Sequence, residues 1–450
     1  MSGRAALRFA LLFAAVAAVS FFRDPGAFLR PVLAYEDGRD LLPFFYQQRG
    51  PETWLRTYAG YVAFVPNLLG WAALAAQVRW APHLLALAPL LLASLAFSWL
   101  SRRSYRGLLG GDDLRFAACL LLALAPVTNA RFLGNTTYAL WSAFLLLVLW
   151  SLAPPPGSRA GAAARLLAMS ALVWSHPLSA LLVPAWLLLA LFPERLAPAE
   201  GPGALGEPGR GAPLARLFYA VLAGVAVLYQ LLGVEHAGLA SPGPQGLLHR
   251  TAALGLGRVV FGAVFGDAHA QLLHAVGAPA LIPALALAVL AAAGLALARA
   301  RARIGPREAF ALGLLAWVIA GATALAVLGR QTDFELLRGH QDARYFWVQR
   351  LLFLVLLMQC AALGAGAPRA AGEPAAPGLP LRPCALLVAW LVALNLANNG
   401  VYEVSRAEGE QVRAFAAALA RQERELGGRA QVRARLERGP WPSSPPGSWR

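Results

Sequence analysis

The chain has 450 residues, 58% of them hydrophobic and only 14% charged, with a mean hydropathy of +0.55. A soluble domain needs more polar surface than that, so the composition predicts a polytopic membrane protein. The net charge of +16 does not point to nucleic acid, because the arginines mostly flank apolar segments; no lysine is present, which excludes lysine-based nucleophilic or Schiff-base chemistry.

Residues 5–22 are apolar apart from Arg8 and Ser20 and are long enough to cross a bilayer core of roughly 30 Å. Arg4 and Arg8 before Ala17-Ala18-Val19-Ser20 also resemble a cleavable signal peptide, but the many spans downstream favour an uncleaved helix. Between 23 and 58, five arginines balance five acids among Phe44, Phe45, Tyr46, Trp54 and Tyr58, a mixture suited to the headgroup zone. Inside it, Tyr35-Glu36-Asp37-Gly38 places an acidic pair close to a membrane surface. Further spans are predicted near 83–100, 114–128, 138–152, 162–175, 178–193, 215–233, 279–298, 309–328, 346–364 and 384–399. The pair 162–175 and 178–193 is short for crossing, so Ser175-His176-Pro177 is expected to be a turn dipping into the membrane.

Segment 59–78 is apolar too. Counting it as a crossing would put Arg102, Arg103 and Arg106 on the face of the acidic loop, so it is expected to lie in or re-enter the outer leaflet. The arginine-rich N-terminus and loops 101–113, 153–165, 194–216, 299–308 and 365–383 then face the cytoplasm, and 23–58, 125–137, 234–278 and 329–345 face outward. Residues 1–399 form the membrane domain, with 23–82 as its first extracytoplasmic loop, and 400–450 form an extracytoplasmic tail. In that tail Ser405 to Leu426 reads as an amphipathic helix closed by Gly427-Gly428, and the alternation over 432–437 reads as one strand. Cys119, Cys360 and Cys384 lie in or beside apolar stretches and behave as small hydrophobes, and His236, His249, His269 and His274 lack the spacing of a metal site.

The order of an N-terminal span, an outward loop with Glu36-Asp37-Gly38, the stretch Tyr58-Ala59-Gly60-Tyr61 to Val65-Pro66-Asn67, and a span ending in Arg102-Arg103 resembles the GT-C class of glycosyltransferases. Gly134-Asn135 with Trp141 and Ala343-Arg344-Tyr345-Phe346 before a span are similar to its bacterial members. The resemblance is best over the first 150 residues and 338–364. It implies an all-α polytopic GT-C-like fold, with about eleven transmembrane helices plus a re-entrant or interfacial helix, in a bacterial plasma membrane. It also implies transfer of a sugar from a polyprenyl-phosphate donor to a glycan, lipid or protein acceptor on the extracytoplasmic side, with inversion.

Phosphate is already a good leaving group, so such a transfer needs cationic donors for its developing charge and one base for the acceptor hydroxyl. Asp37 is the expected base, with Glu36 orienting the acceptor, although the order is reversible. Either acid is the place for a divalent metal, Mg or Mn, if one is used. Arg344, Arg338, His340 and Arg350 are candidates for the donor phosphate, since guanidinium binds phosphate bidentately. Tyr58, Tyr61, Arg131, Asn135, His176 and Tyr345 are candidates for sugar or acceptor contacts. Blander readings stand beside these: surface solvation for the acids, helix-end anchoring for Arg344 and Arg350, and a structural role for His176. A lipid or glycan flippase would show midplane charges and paired broken helices. An acyltransferase or ligase would use His340 in its outer loop, and a non-catalytic envelope assembly protein is the third competing class.

Overall fold

The computed structural model describes residues 3–29, 31, 37, 41–48, 50–58, 61–75, 78–125, 133–153, 156, 158–196, 211–233, 244–329, 343–364 and 417–426. Among these the chain is helical, apart from a two-residue antiparallel ladder pairing Thr57 with Val62 and Tyr58 with Tyr61. Six helices are long and apolar enough to cross a membrane, and five further apolar helices are shorter.

The centre of the bundle is α5 (Ala139–Leu152), in which every residue is buried. A helix apolar all round must be enclosed by other helices, and this sequence carries no charge along its length. Around it pack α3 (Ala81–Trp99), with α1 (Gly3–Phe22) and α4 (Asp112–Leu124) on the far side of α3. A second group is built from α6 (Arg159–Val173), α7 (Val183–Leu191) and α8 (Gly211–Gly233). On α8, Leu214, Leu217, Val221, Val225 and Leu228 are exposed at helical spacing, while Tyr219, Ala220, Ala223 and Ala226 face inward. Each such side chain gains about 1.5–3 kcal/mol on leaving water, so the outward stripe suits lipid rather than solvent.

The last group contains α9 (Pro244–Leu254), α10 (Asp267–Ala275), α11 (Leu281–Arg299), α12 (Pro306–Gly329) and α13 (Trp347–Gly364). Here α13 lies between α11 and α12 and reaches α5. The expected outward loop over 234–278 is corrected by this group, because Gln245–Val264 is a helical stretch long and apolar enough to cross. Its hydropathy is diluted by Arg250 and Arg258, which is why a window sum passes over it.

Segment 59–78 forms α2 (Phe64–Ala75), 12 residues and so about 18 Å long, too short to cross the bilayer core. It is tied to its neighbours by hydrogen bonds. Asn67 Nδ2 donates to the carbonyls of Trp54 (3.1 Å) and Arg56 (2.9 Å), and Val65 N–H donates to Ser175 Oγ (3.0 Å). A Cβ at Gly70 would fall 2.8 Å from the Phe45 ring, so only glycine lets the Leu42–Gln47 turn lie flat on α2. Residues 417–425 of the tail are helical, within the expected 405–426 helix, and Leu419 is buried among Leu41, Phe45, Leu74 and Leu85. The tail strand and the 384–399 span lie outside the described residues.

Arginines close helix ends throughout. Arg23 Nη1 donates to the carbonyls of Ala123 (2.7 Å) and Ala125 (3.1 Å) at the end of α4, and Arg216 Nη1 to Leu189 O (2.9 Å) in α7. Arg165 bonds the carbonyls of Trp150 and Ala153 past α5, and Arg303 Nη1 bonds Leu363 O (3.2 Å) in α13. The last carbonyls of a helix lack intrahelical partners and carry its negative dipole end, so a forked cation satisfies both demands at once.

Candidate functional site

Asp37 lies at the start of α5. Its carboxylate is fully buried and accepts hydrogen bonds from Thr136 N–H, from Thr137 N–H (2.8 Å) and from Thr137 Oγ1 (2.8 Å). The threonines precede a helix whose first N–H groups point outward with the positive end of the dipole, so this is where a carboxylate is stabilised. Asn135 Oδ1 accepts from Tyr138 N–H (3.1 Å), and Thr136 Oγ1 bonds Leu85 O near the start of α3. The Asn135-Thr136-Thr137 turn is therefore a socket for Asp37.

Below that socket His176 faces the same helix. Its ring lies 4.4 Å from Trp141 and 5.6 Å from Phe144, centroid to centroid, and its Nδ1 accepts from Leu178 N–H (3.0 Å). An accepting Nδ1 carries no proton, and His176 sits in the break between α6 and the Pro177–Leu182 turn, outside both. Burial pushes its pKa down to about 3, so the ring is neutral and cannot serve as a phosphate-binding cation.

A second polar group lies at the start of α13. Arg350 Nη1 and Nη2 hold the two oxygens of Asp267 at 2.8 and 2.6 Å, and Arg350 Nε donates to Arg258 O at 2.6 Å. Arg258 Nη1 adds a bond to Asp267 Oδ1 (3.2 Å), and all three side chains are buried. Arg258 belongs to a π-helical stretch, Gly255–Phe261, and Gly262 follows it. A Cβ on Gly262 would stand 2.7 Å from Arg350 Cζ, so the glycine makes room for the guanidinium. Arg350, expected at the donor phosphate, has its donors directed to Asp267 and the Arg258 carbonyl.

The structure thus brings Asp37, Asn135 and His176 together along α5, and sets Arg350 with Arg258 and Asp267. The two groups enter at different depths. Thr136 is level with Leu85, whereas the Trp347 ring lies 6.3 Å from Phe97, 12 residues further along α3 and so about 18 Å deeper in helix rise. Tyr345 is half-buried in the Ala343–Phe346 turn against the core. Tyr58 and Tyr61 form the two-residue ladder and Arg344 stands in the turn before α13, the backbone of each being described and the side chain not. Glu36, Arg131, Arg338 and His340 lie outside the described residues.

Asp267, Arg258, Thr136 and Thr137 carry roles that were not assigned from sequence. Opposite charges embedded in the apolar run from Leu254 to Phe265 and just beyond it were the available signal. Among the described residues no three His, Cys, Asp or Glu side chains converge on a metal position. Asp37 is a poor ligand as placed, since three donors occupy most of its roughly four lone-pair directions. Comparison with family models, curated proteins and solved structures gives no match for this chain.

Proposed function

We propose that the chain is an integral membrane glycosyltransferase of GT-C-like architecture. It moves a sugar from a polyprenyl-phosphate donor to an extracytoplasmic glycan, lipid or protein acceptor. The observation that supports this reading is the buried attachment of Asp37 to the N–H groups of Thr136 and Thr137, in the turn just before α5. Glu36 directly precedes Asp37 in the chain. Here the roles of the two acids are reversed from the sequence expectation. Asp37 would have to surrender its hydrogen bonds to take a proton, so it positions the loop, and Glu36 is the general base toward the acceptor hydroxyl. Arg344, in the turn leading to α13, is set about 18 Å of helix rise along α3 from Thr136, so in this reading the positive charge for the leaving phosphate comes from arginines nearer Glu36. Arg350 fixes the start of that helix through Asp267. Breaking the bond between the anomeric carbon and the phosphate oxygen leaves the electron pair on phosphate, while the acceptor oxygen forms the new bond and its proton passes to Glu36.

The test is sugar transfer by purified protein given polyprenyl-phosphate sugars. Product formation that falls about 10²-fold or more in Glu36→Gln supports the reading. Movement of the lipid-linked sugar across the bilayer without transfer would establish the flippase instead.

A further inference from the structure

At the end of the bundle away from Asp37, the segment before α4 gathers Arg102, Arg103 and Arg106. Arg115, one turn into α4, is only 1% exposed. Its Nη2 pairs with Asp112, a residue half open to solvent, while its Nε and Nη1 have no hydrogen-bond partner. A buried guanidinium with two unused nitrogens is costly unless something else fills the gap. Arg103 and Arg106 lie close enough for their charges to bear directly on it. Arg103 is exposed and Arg106 half-buried.

The backbone beside them suits an anion. After the short helix Arg106–Leu109 the chain turns at Gly110, whose φ of 81° lies in the left-handed region, and Gly111 then opens α4 as an N-cap with no side chain. The first N–H groups of α4 consequently receive no capping oxygen from that residue. A Cβ at Gly107 or Gly111 would meet nothing within 4 Å, so both flanks of the turn are open. Asp113 in the first turn is exposed to solvent, and among the described residues Asp112 is the acid paired with Arg115.

We propose that Arg103, Arg106 and Arg115 form a binding site for a phosphate group at the N-terminus of α4, at the opposite end of the bundle from Asp37. Phosphate suits three guanidiniums, because it carries more negative charge and more acceptor oxygens than a carboxylate and can bond several of them at once. The unpartnered Nε and Nη1 of Arg115 are the donors it would gain. The phosphate comes either from an anionic phospholipid headgroup or from a soluble phosphate compound. The site does not depend on the transferase reading, and its test needs no turnover.

The experiment uses the full chain in nanodiscs, with unfolding temperature as the readout. Inorganic phosphate is titrated against chloride at matched ionic strength in phosphatidylcholine discs, and phosphatidylglycerol is separately introduced into the discs. The comparison variant is Arg103→Gln/Arg106→Gln, which changes two side chains at the surface and leaves the buried Arg115 in place. Stabilisation of the native chain by either ligand, weakened about tenfold or more in the double variant, supports the site. Response to phosphatidylglycerol alone assigns the headgroup, and response to phosphate alone assigns a soluble compound. The proposal is overturned if neither ligand stabilises the chain, if chloride does so equally, or if the double variant responds like the native protein.

Discussion

Single side chains decide what each polar position can do, and His176 shows how. Its Nδ1 acts as an acceptor for Leu178 N–H and the ring is buried against Trp141, so the folded state keeps it neutral down to a pKa of about 3. In the unfolded chain the ring takes up a proton as the pH drops below 6.5. Stability contributed by the neutral ring is therefore complete above pH 6.5 and is lost as the pH falls toward 3, at about 1.4 kcal/mol per pH unit. In His176→Asn the amide oxygen replaces Nδ1 as the acceptor without titrating. Thermal unfolding in detergent should then show a shallower loss of stability between pH 6.5 and 5 than the native protein shows. An unchanged slope would mean that the ring is not the group that titrates. Sequence alone exposed His176 as a residue before a proline at a helix break, but not the direction of its nitrogen, because that depends on aromatic neighbours more than thirty positions away.

At the level of elements, hydropathy located most helices within a few residues. It anticipated α1, α3, α5 and α11 to α13 because lipid and helix neighbours both select long apolar runs. It failed over 245–264 for a physical reason. Arg258 is tolerated there only because Asp267 and α13 meet it in space, a compensation invisible to a local sum. The arrangement also predicts an asymmetry between substitutions. Arg350→Lys cannot reproduce the paired bonds to Asp267 together with the bond to Arg258 O, so it should approach the roughly 3–5 kcal/mol loss expected when a buried pair is broken. Gly262→Ala should act in the same direction by crowding Arg350 Cζ. Differential unfolding of the detergent-solubilised variants checks both, and native stability in Arg350→Lys would show that a single point charge suffices.

For the molecule as a whole, α5 is the axis, with the buried carboxylate of Asp37 at its start and Arg165 on the carbonyls at its end. That polarity agrees with the helix dipole. The hydrogen bonds also sort the loops into two ends: Thr136 with Leu85 at one, and Tyr105 with Leu149, 2.7 Å, at the other. Cysteine labelling should follow this division. With Cys384 replaced by Ser, the exposed variant Gly107→Cys should react from one side of the membrane and Gln48→Cys from the other, over the low background of buried Cys119 and Cys360. Reaction of positions 48 and 107 from the same side would dismantle the arrangement. The acidic run itself was legible in the sequence as a charged island in an apolar chain. The socket for Asp37 was not, since Thr136 and Thr137 lie about a hundred residues away and look like an ordinary loop.

The most direct test of the account measures turnover and unfolding temperature side by side in Glu36→Gln and Asp37→Asn. The account predicts that Glu36→Gln abolishes sugar transfer at an unchanged unfolding temperature. Asp37→Asn is predicted to lower both, because its amide hydrogens would confront the N–H groups of Thr136 or Thr137, at a cost of about 1–3 kcal/mol. Full transfer by Glu36→Gln, together with an inactive Asp37→Asn of native stability, would contradict it.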